Sequence, residues 1–478
     1  MRAIHARESP AALEIVEASG SPTVRRAPLA LQVQDRHERV TSAGRSGTLL
    51  PPMAAALLAS LLFAAQAAPP VDPQSRARVE ADVRKLVSFG TRHTLSETED
   101  PARGIGAARR WLAEELERIS REHHGGRLRV LLERFALPPG RRVPEGVELA
   151  NVVALLPGRD EARLVVVCGH YDSICGDVMD SSSDAPGAND DASGTAVVLE
   201  CARLLAGLEP RAGVVFLAVA GEEQGLLGSR AQAEAWKAAG IEVEAFLGND
   251  IVGGARGSNG RLEPGRLRLF SEGVPSAGPK IAGSDCDAPS RQLARYLKER
   301  GERALPGFEI ELVFRQDRFG RGGDHKSFND QGFAAVRFTE PNENYDQQHA
   351  HVRVVDGVQK GDLAEFVDYA FVARVAAVNA AGLRELALAP PRPKGVRMST
   401  RLGSDTRLTW EDAAEDEVAG WRVRVRRTWE PTWSGAVDAG RATEIVLEGY
   451  SKDDWIFAVE AFDAEGHASL PVYPQAGR

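Results

Sequence analysis

The segment that most constrains this chain is residues 165–172, which read Val-Val-Val-Cys-Gly-His-Tyr-Asp. An apolar run that is short, β-branched and without polar alternation predicts a strand buried on both faces. Ligands of open α/β sheets bind beyond the carboxyl ends of the strands, so His170 and Asp172 are expected where chemistry is usually done. On their own, a histidine and an aspartate two residues apart are more often a buried, hydrogen-bonded pair than part of a functional site.

Predicted strands and helices alternate over most of the chain. Helices are predicted at 73–89, from Ala107 to Ile119, at 193–206 and at 229–239. Strands are predicted at 128–135, 149–156, 164–168 and 214–220, with another ending at Gly248. This alternation predicts an α/β fold for residues 73–388, with a mostly parallel central sheet and helices on both faces.

A proline-rich linker at 389–396 separates that unit from the C-terminal residues 397–478. There, short runs between turn residues predict a small all-β sandwich, with strands at 406–410, 420–426, 443–447 and 455–462. The placement of Trp410, the run Val-Ala-Gly-Trp-Arg-Val-Arg-Val and the run Phe-Ala-Val-Glu-Ala-Phe resembles a fibronectin type III module of the kind appended to secreted bacterial hydrolases. The resemblance implies an accessory module.

Residues 1–72 are interpreted as a disordered leader without sustained apolar periodicity, except at 53–67. That segment is apolar, too short to span a bilayer comfortably, and ends in Ala-Gln-Ala, as a secretory signal with its cleavage site does. It predicts a secreted or periplasmic protein whose mature chain begins near Ala68. Such a signal normally stands at the N-terminus, which a translation start near Met53 or at another upstream codon would explain; a buried or anchoring helix is the alternative.

Charge and cysteine content exclude some classes of protein. The formal net charge of the 478 residues is -9, which argues against a nucleic-acid or anionic-membrane partner because phosphate binding needs a positive field. Cys168 lies in the apolar strand and Cys201 on the apolar face of the next helix, so both are expected to be buried free thiols. Nothing in the sequence indicates the oligomeric state.

Acids and histidines recur in order at predicted strand ends downstream of His170. They are Asp190-Asp191, Glu222-Glu223, Asp250 and a last segment that contains His349. So many acids at one sheet edge would repel each other and lose solvation, and a pair of divalent cations removes that cost. Zinc accepts imidazole and carboxylate ligands. His170, Asp190, Glu223, Asp250 and His349 are enough for two zinc ions, which leaves Glu222 free to act as a base.

Taken together, the motifs His-x-Asp, Gly-Ala-Asn-Asp-Asp-Ala-Ser-Gly, Gly-Glu-Glu-Gln-Gly-Leu-Leu-Gly-Ser, Asn-Asp-Ile-Val-Gly and a terminal Gln-His resemble the co-catalytic zinc aminopeptidase family. That family also contains glutamate carboxypeptidases and the metal-free transferrin-receptor ectodomain. The resemblance implies that Asp190 bridges two zinc ions, one also held by His170 and Asp250, the other by Glu223 and His349.

The same resemblance implies further roles and an activity. Asp172 would orient His170 through its second ring nitrogen, and the peptide bond Asp190-Asp191 would be cis. The implied activity is hydrolysis of the N-terminal peptide bond of peptides or proteins by a zinc-bridged hydroxide, with Glu222 as general base and then acid. The family's last histidine commonly precedes Thr-Pro, whereas Ala350 and His351 follow here, so His351 is a rival to His349.

Alternatives to an aminopeptidase stay open. The family's tyrosine near the oxyanion is not securely placed, and Tyr345 is a candidate. Carboxypeptidase or glutaminyl-cyclase activity is possible on the same fold, because fold and metals do not determine which chain terminus is bound. A non-catalytic binding protein is the alternative of a different class. The intact ligand set, together with Glu222, favours the enzyme.

Overall fold

The structure is a computed structural model that describes residues 71–272, 287–413 and 418–477. The signal-like segment at 53–67 and the expected cleavage site near Ala68 lie outside the described residues.

A central sheet of eight strands organises the larger unit. The strands are β1 (Arg129–Leu137), β2 (Val147–Leu156), β3 (Asp160–His170), β4 (Ala212–Val219), β5 (Glu242–Asn249), β6 (Arg266–Ser271), β7 (Glu309–Val313) and β8 (Ala335–Thr339). Their order across the sheet is β1-β2-β4-β3-β5-β8-β6-β7. The central pairs β4-β3, β3-β5 and β5-β8 are parallel, as is β6-β7, whereas β1-β2, β2-β4 and β6-β8 are antiparallel.

Helices cover both faces of this sheet. They are α1 (Ser75–Val87), α2 (Gly104–His123), α3 (Ala192–Leu204), α4 (Leu227–Ala238), α5 (Pro289–Ala304), α6 (His325–Asp330) and α7 (Tyr369–Leu388). Apolar residues of α1, α2, α3, α5 and α7 share one core cluster, and those of α4 and α6 share another. The predicted α/β fold, with a mostly parallel central sheet between two helical layers, is confirmed.

The apolar run that ends at His170 forms β3, in the middle of the sheet. Val165 and Val167 point into the larger core cluster, and Val166 and Cys168 into the cluster on the opposite face. Because successive side chains of a strand point to opposite faces, a central strand between two helical layers needs apolar residues at every position. The strand is therefore buried on both faces, as its sequence predicts. Cys168 and Cys201 are buried free thiols, also as predicted.

The C-terminal unit consists of two packed β-sheets. Its strands are β11 (Arg397–Ser399), β12 (Thr406–Thr409), β13 (Gly420–Arg427), β14 (Gly435–Gly440), β15 (Glu444–Leu447), β16 (Trp455–Phe462) and β17 (Gln475–Gly477). The sheets have the orders β15-β12-β11-β17 and β14-β13-β16. Leu408 and Leu447 of one sheet and Trp421 and Phe457 of the other lie in a common core. The resemblance to a fibronectin type III module stays a prediction.

The residues between the two units, 389–396, form neither helix nor strand. A short hairpin, β9 (Arg353–Val355) and β10 (Val358–Lys360), follows the predicted last histidine segment. Within the described ranges, no helix has the length and apolar character needed to cross a bilayer.

Candidate metal centre

The predicted site residues lie at the carboxyl ends of the three strands at the middle of the sheet. His170 ends β3, Glu222 and Glu223 follow β4, and Asp250 follows β5. Because β4, β3 and β5 are parallel neighbours, their carboxyl ends open on the same edge. Asp190 is brought to this edge by the turn before α3.

The turn before α3 is held by Asp191. Its carboxylate accepts hydrogen bonds from the backbone N of Gly194 at 3.0 Å, in the first turn of α3, and of His170 at 3.0 Å. An aspartate at this position stabilises the start of a helix because the first backbone N–H groups have no partner in the helix. Asp191 thus couples the start of α3 to the end of β3. The peptide bond Asp190-Asp191 is cis, as the family resemblance implies.

A first group of potential metal ligands consists of His170, Asp190 and Asp250. The Nε2 atom of His170 lies 3.1 Å from Oδ1 of Asp190 and 3.9 Å from Oδ1 of Asp250. One ligand atom of each residue lies within 4.8 Å of the others, and all three residues are buried.

A second group consists of Asp190, Glu223 and His349. The Nε2 atom of His349 lies 2.9 Å from Oδ2 of Asp190 and 3.2 Å from Oε1 of Glu223. Asp190 thus belongs to both groups and directs one carboxylate oxygen to each. A carboxylate in this position can bridge two cations. The structure places His349 in this group, whereas His351 lies in a separate cluster with Cys175 and Asp180.

Two observations indicate that the residues fit bound metal. Within the described residues, the buried atoms Nε2 of His170 and Oε1 of Glu223 make no hydrogen bond of good geometry, although each faces another potential ligand atom at 3.1 or 3.2 Å, and this is rare for buried polar atoms. The charges of Glu223 and Asp190 raise the pKa of His349 to about 11, so these acids strongly favour a cation between them. The donor set of imidazole nitrogens and carboxylate oxygens is one that zinc accepts.

Asp172 contacts both His170 and the glutamate pair. The Nδ1 atom of His170 lies 3.2 Å from the backbone O of Asp172 and 3.5 Å from its carboxylate. The same carboxylate accepts hydrogen bonds from the backbone N of Glu222 at 3.3 Å and of Glu223 at 3.2 Å. Asp172 is therefore placed to orient the histidine ring and also to hold the turn that presents the two glutamates.

Glu222 lies beside both groups but belongs to neither. Its side chain is half-buried. Burial raises the pKa of Glu222 well above its usual value, and the charges of Asp250 and Glu223 act in the same direction against that of His170. A carboxyl group with a raised pKa next to a metal centre is suited to accept and return a proton.

Sequence reasoning missed two residues that support the ligands. Arg337, buried in β8, pairs with Asp250 at 2.9 Å between Nη2 and Oδ1, and with Asp317 at 2.9 Å. Asp362 accepts hydrogen bonds from the backbone N of Asn189 and Asp190. An arginine inside the apolar run Ala-Val-Arg-Phe was a usable signal, because an arginine is rarely buried without a partner. Nothing local in the sequence marks Asp362.

Asp324 and the sequence-predicted candidate Tyr345 occupy different positions. Asp324 is buried and interacts electrostatically with Glu222 and Asp250. Tyr345 is 67% exposed, on the loop that leads to His349. The structure therefore brings Asp324 to the centre, and leaves the oxyanion role of Tyr345 a prediction.

Comparisons with known proteins agree with this geometry. Residues 151–370, which contain all the potential ligands of both groups, match the sequence model of peptidase family M28. A protein of Leptosphaeria maculans named as a probable zinc metalloprotease is 43% identical over 416 residues, which cover 85% of this chain and 96% of that protein. One of the same description from Pyricularia oryzae is 44% identical over 422 residues, 85% of this chain and 83% of that protein.

A solved structure, the LapA aminopeptidase of Legionella pneumophila, is 18% identical, with a TM-score of 0.49, over 73% of this chain and 79% of that chain.

The relatives at more than 40% identity align along most of this sequence, and the family match spans the edge of the sheet at which the ligands meet. The chain therefore belongs to peptidase family M28 and is a zinc metallopeptidase.

Proposed function

We propose that this metallopeptidase is a dizinc exopeptidase that releases the N-terminal residue of peptides and proteins. The observation that carries the proposal is the shared Asp190, whose two carboxylate oxygens face two separate histidines, His170 and His349. A single-ion site would leave one of the two ligand groups without a cation. Two ions give each group its own cation with Asp190 between them.

The proposed ligands follow the two groups. His170, Asp190 and Asp250 would hold one zinc ion, and Asp190, Glu223 and His349 would hold the other. Zinc bound there would act as a Lewis acid that polarises the scissile carbonyl and makes water a stronger acid.

Glu222 would carry the proton through the reaction. As the water oxygen bonds to the scissile carbonyl carbon, the carboxylate of Glu222 takes the proton of that water. When the carbon–nitrogen bond breaks, Glu222 gives the proton to the departing amine, so the carboxylate is regenerated. The backbone hydrogen bond from Glu222 to Asp172 holds the base in place during both steps.

The acidic side chains beside the ligands favour a substrate N-terminus over a C-terminus. The buried Oδ1 atom of Asp324 has no hydrogen-bond partner among the described residues. Burial raises the pKa of Asp324 to about 7, and the negative charge of Asp250 adds to the effect. A substrate α-ammonium group near Asp324 and Glu222 would supply both a hydrogen-bond donor and a compensating positive charge. A substrate carboxylate would add repulsion in the same place.

A carboxypeptidase is the second candidate, because Arg337, which pairs with the ligand Asp250, also interacts electrostatically with Glu343, and further arginines surround that carboxylate. Arg318 and Arg321 each pair with Glu343 at 2.8 Å, and Arg268 pairs with the same carboxylate at 3.1 Å. Three guanidinium groups surround Glu343, one of them shared with Asp317, and they leave an excess of positive charge that could attract a C-terminal carboxylate. The Glu343 charge already offsets part of that field, which is why we favour the N-terminus.

Substituting each of the two glutamates in turn distinguishes the base from the metal ligand. Positioned proton transfer contributes about 10²–10⁴-fold, so Glu222→Gln is expected to lower kcat by at least that order with both zinc ions retained. Glu223→Gln is expected to lose zinc first, because it removes a charged ligand. Zinc content by mass spectrometry and kcat on aminoacyl chromogenic substrates test this directly. A fully active Glu222→Gln enzyme, or one that loses zinc while Glu223→Gln keeps it, would overturn the assignment.

Substrate class is tested on the same preparations. Aminoacyl anilides and their N-acetylated forms are compared with N-blocked peptides that carry a free C-terminus, and with N-terminal glutaminyl peptides. Cleavage that requires a free α-amine supports the aminopeptidase. Cleavage of the N-blocked peptides alone supports the carboxypeptidase, cyclisation of the glutaminyl peptides supports a glutaminyl cyclase, and zinc-loaded protein inactive on all of them supports a binding protein.

We also propose that the protein is secreted or periplasmic, on the basis of the signal-like segment at 53–67. N-terminal sequencing of exported protein is expected to give a first residue close to Ala68. Soluble protein that retains residues 1–67 would contradict export by this segment.

A further inference from the structure

Three side chains of different chemistry converge outside the centre described above. Cys175 and Asp180 belong to the segment that follows β3, and His351 lies two residues beyond His349. The Sγ atom of Cys175, a carboxylate oxygen of Asp180 and a ring nitrogen of His351 lie within 4.8 Å of one another. We propose that they form a third metal site, which binds one zinc ion and ties the segment after His170 to the loop that carries His349.

The donor set is suited to zinc. Thiolate, imidazole and carboxylate are all zinc ligands, and three protein ligands leave a fourth position for water. Around a single tetrahedral zinc ion, such ligand atoms lie about 3.4–3.6 Å apart, by the bond lengths typical of zinc. Because the three donors are at most 4.8 Å apart, a contraction of at most about 1.4 Å, which side-chain rotation can supply, would bring them onto one ion.

The first two donors are already held close to the proposed ion by the surrounding structure. Cys175 is 1% exposed, so its thiol is held by the fold. The carboxylate of Asp180 accepts hydrogen bonds from the backbone N of Ser182 at 3.1 Å and of Ser183 at 2.9 Å. Hydrogen bonds of this kind orient ligating carboxylates in metal sites.

The third donor, His351, has its ring close to the backbone of Gly176, the residue after Cys175. A Cβ atom on Gly176 would lie 2.7 Å from Cδ2 and 3.0 Å from Nε2 of His351. These distances are too short for any side chain, so the absence of one at Gly176 lets the His351 ring lie against the backbone beside Cys175. Gly176 therefore leaves room for the third donor beside the first.

The proposed site would act on the loop that presents His349. That loop has neither helix nor strand from residue 341 to 352, and the His349 side chain is 38% exposed. His349 also has φ of 47°, in the left-handed region that residues other than glycine rarely adopt. An ion held by Cys175, Asp180 and His351 would anchor the loop two residues from this ligand. It would thereby lower the entropic cost of holding His349 in place.

Cobalt(II) distinguishes this site from the dizinc centre, because neither ligand group of that centre contains sulfur. In the full-length protein exchanged into cobalt(II), a thiolate-to-cobalt charge-transfer band in the near ultraviolet is expected, and it is expected to be lost in Cys175→Ser. Cys201→Ser is the control, because the buried thiol of Cys201 donates a hydrogen bond to the backbone O of Ala376, away from the cluster. Zinc-loaded wild-type protein is expected to contain three ions per chain, and Cys175→Ser two.

Gly176→Ala tests the geometry without removing a donor. Its methyl group would displace the His351 ring, so the band should weaken markedly although all three ligands remain. His351→Gln should abolish or weaken it in the same way. Wild-type protein with two ions and no band overturns the third site, and a band that persists in Cys175→Ser overturns the assignment of its thiolate. Neither result bears on the proposed peptidase activity, because both measurements report sulfur ligation and stoichiometry.

Discussion

Asp362 determines the position of the shared ligand Asp190 through the backbone. Its two oxygens accept hydrogen bonds from the backbone N of Asn189, each at 2.9 Å, and one of them from the backbone N of Asp190 at 2.7 Å. Asp362 is buried. The substitution Asp362→Ala would leave both N–H groups without their acceptor, that of Asp190 in a buried position and that of Asn189 in a half-buried one.

The size of the effect follows from these contacts. A buried donor left without a partner costs about 1–3 kcal/mol, and the half-buried donor of Asn189 adds less, so the two give about 2–4 kcal/mol. Burial raises the pKa of Asp362 to about 7, so keeping this carboxylate ionised already costs folding free energy, and its removal returns part of that cost. We therefore expect a loss of about 2–3 kcal/mol, and zinc affinity about 10–100-fold weaker, as when partners behind metal ligands are removed.

Urea unfolding of zinc-depleted protein measures the first quantity, and competition titration with a zinc chelator measures the second. Asp362→Asn retains an acceptor oxygen and should lie between wild type and Asp362→Ala. The matched control is Asp368→Ala. Asp368 accepts from the backbone N of Ala370 and Phe371, both at 3.0 Å, at the start of α7. Its loss should cost about 1 kcal/mol without a change in zinc affinity.

Unchanged zinc affinity and an unchanged unfolding midpoint in Asp362→Ala would show that Asp190 is positioned by other contacts. Equal losses of zinc affinity in Asp362→Ala and Asp368→Ala would point to a general loosening of the fold, and would also refute the specific role.

Two more predictions concern stability. Asp287 pairs with Arg426 of the C-terminal unit at 2.8 Å and with Arg295 at 3.1 Å, and all three residues are buried. Asp287→Ala should therefore lower the free energy of unfolding in urea by about 3–5 kcal/mol, because it leaves buried charges without their partner. A decrease below about 1 kcal/mol would contradict this. Burial lowers the pKa of His325 to about 4, and the neutral ring donates to Gln316 O at 2.8 Å. Between pH 6.5 and 4 the folded state therefore binds fewer protons than the unfolded state. As the pH falls through this range, the free energy of unfolding of wild type should decrease by about 3 kcal/mol more than that of His325→Gln. Parallel pH profiles of the two proteins would refute this.

Much of the fold was predictable because local rules govern it. A strand between two helical layers needs apolar residues at every position, and residues 165–168 show that pattern directly. The predicted strand 455–462 coincides with β16, whose alternate residues face the core of the C-terminal unit. The helices α5, α6 and α7 were not predicted. Most of α7 is buried, and a helix buried on nearly all sides lacks the polar face that marks a surface helix.

The order of acids and histidines along the sequence also predicted much of the site. Carboxyl ends of neighbouring parallel strands open on one edge, so residues after β3, β4 and β5 had to meet once those strands paired. Strand pairing alone cannot say which histidine of the last segment reaches the centre. The positive φ of His349 and the close approach of His351 to Gly176 decide that, and both are properties of the folded loop.

What the sequence by itself determined is the order of elements, the buried central strand and the set of potential metal ligands, because these depend on residue type and on spacing along the chain. Only the tertiary structure decided which partners support that set. Asp362 reaches the backbone of Asp190 across 172 residues, and Arg426 reaches Asp287 across 139. Contacts over such separations follow from how the layers pack, and they leave no periodic pattern near either residue.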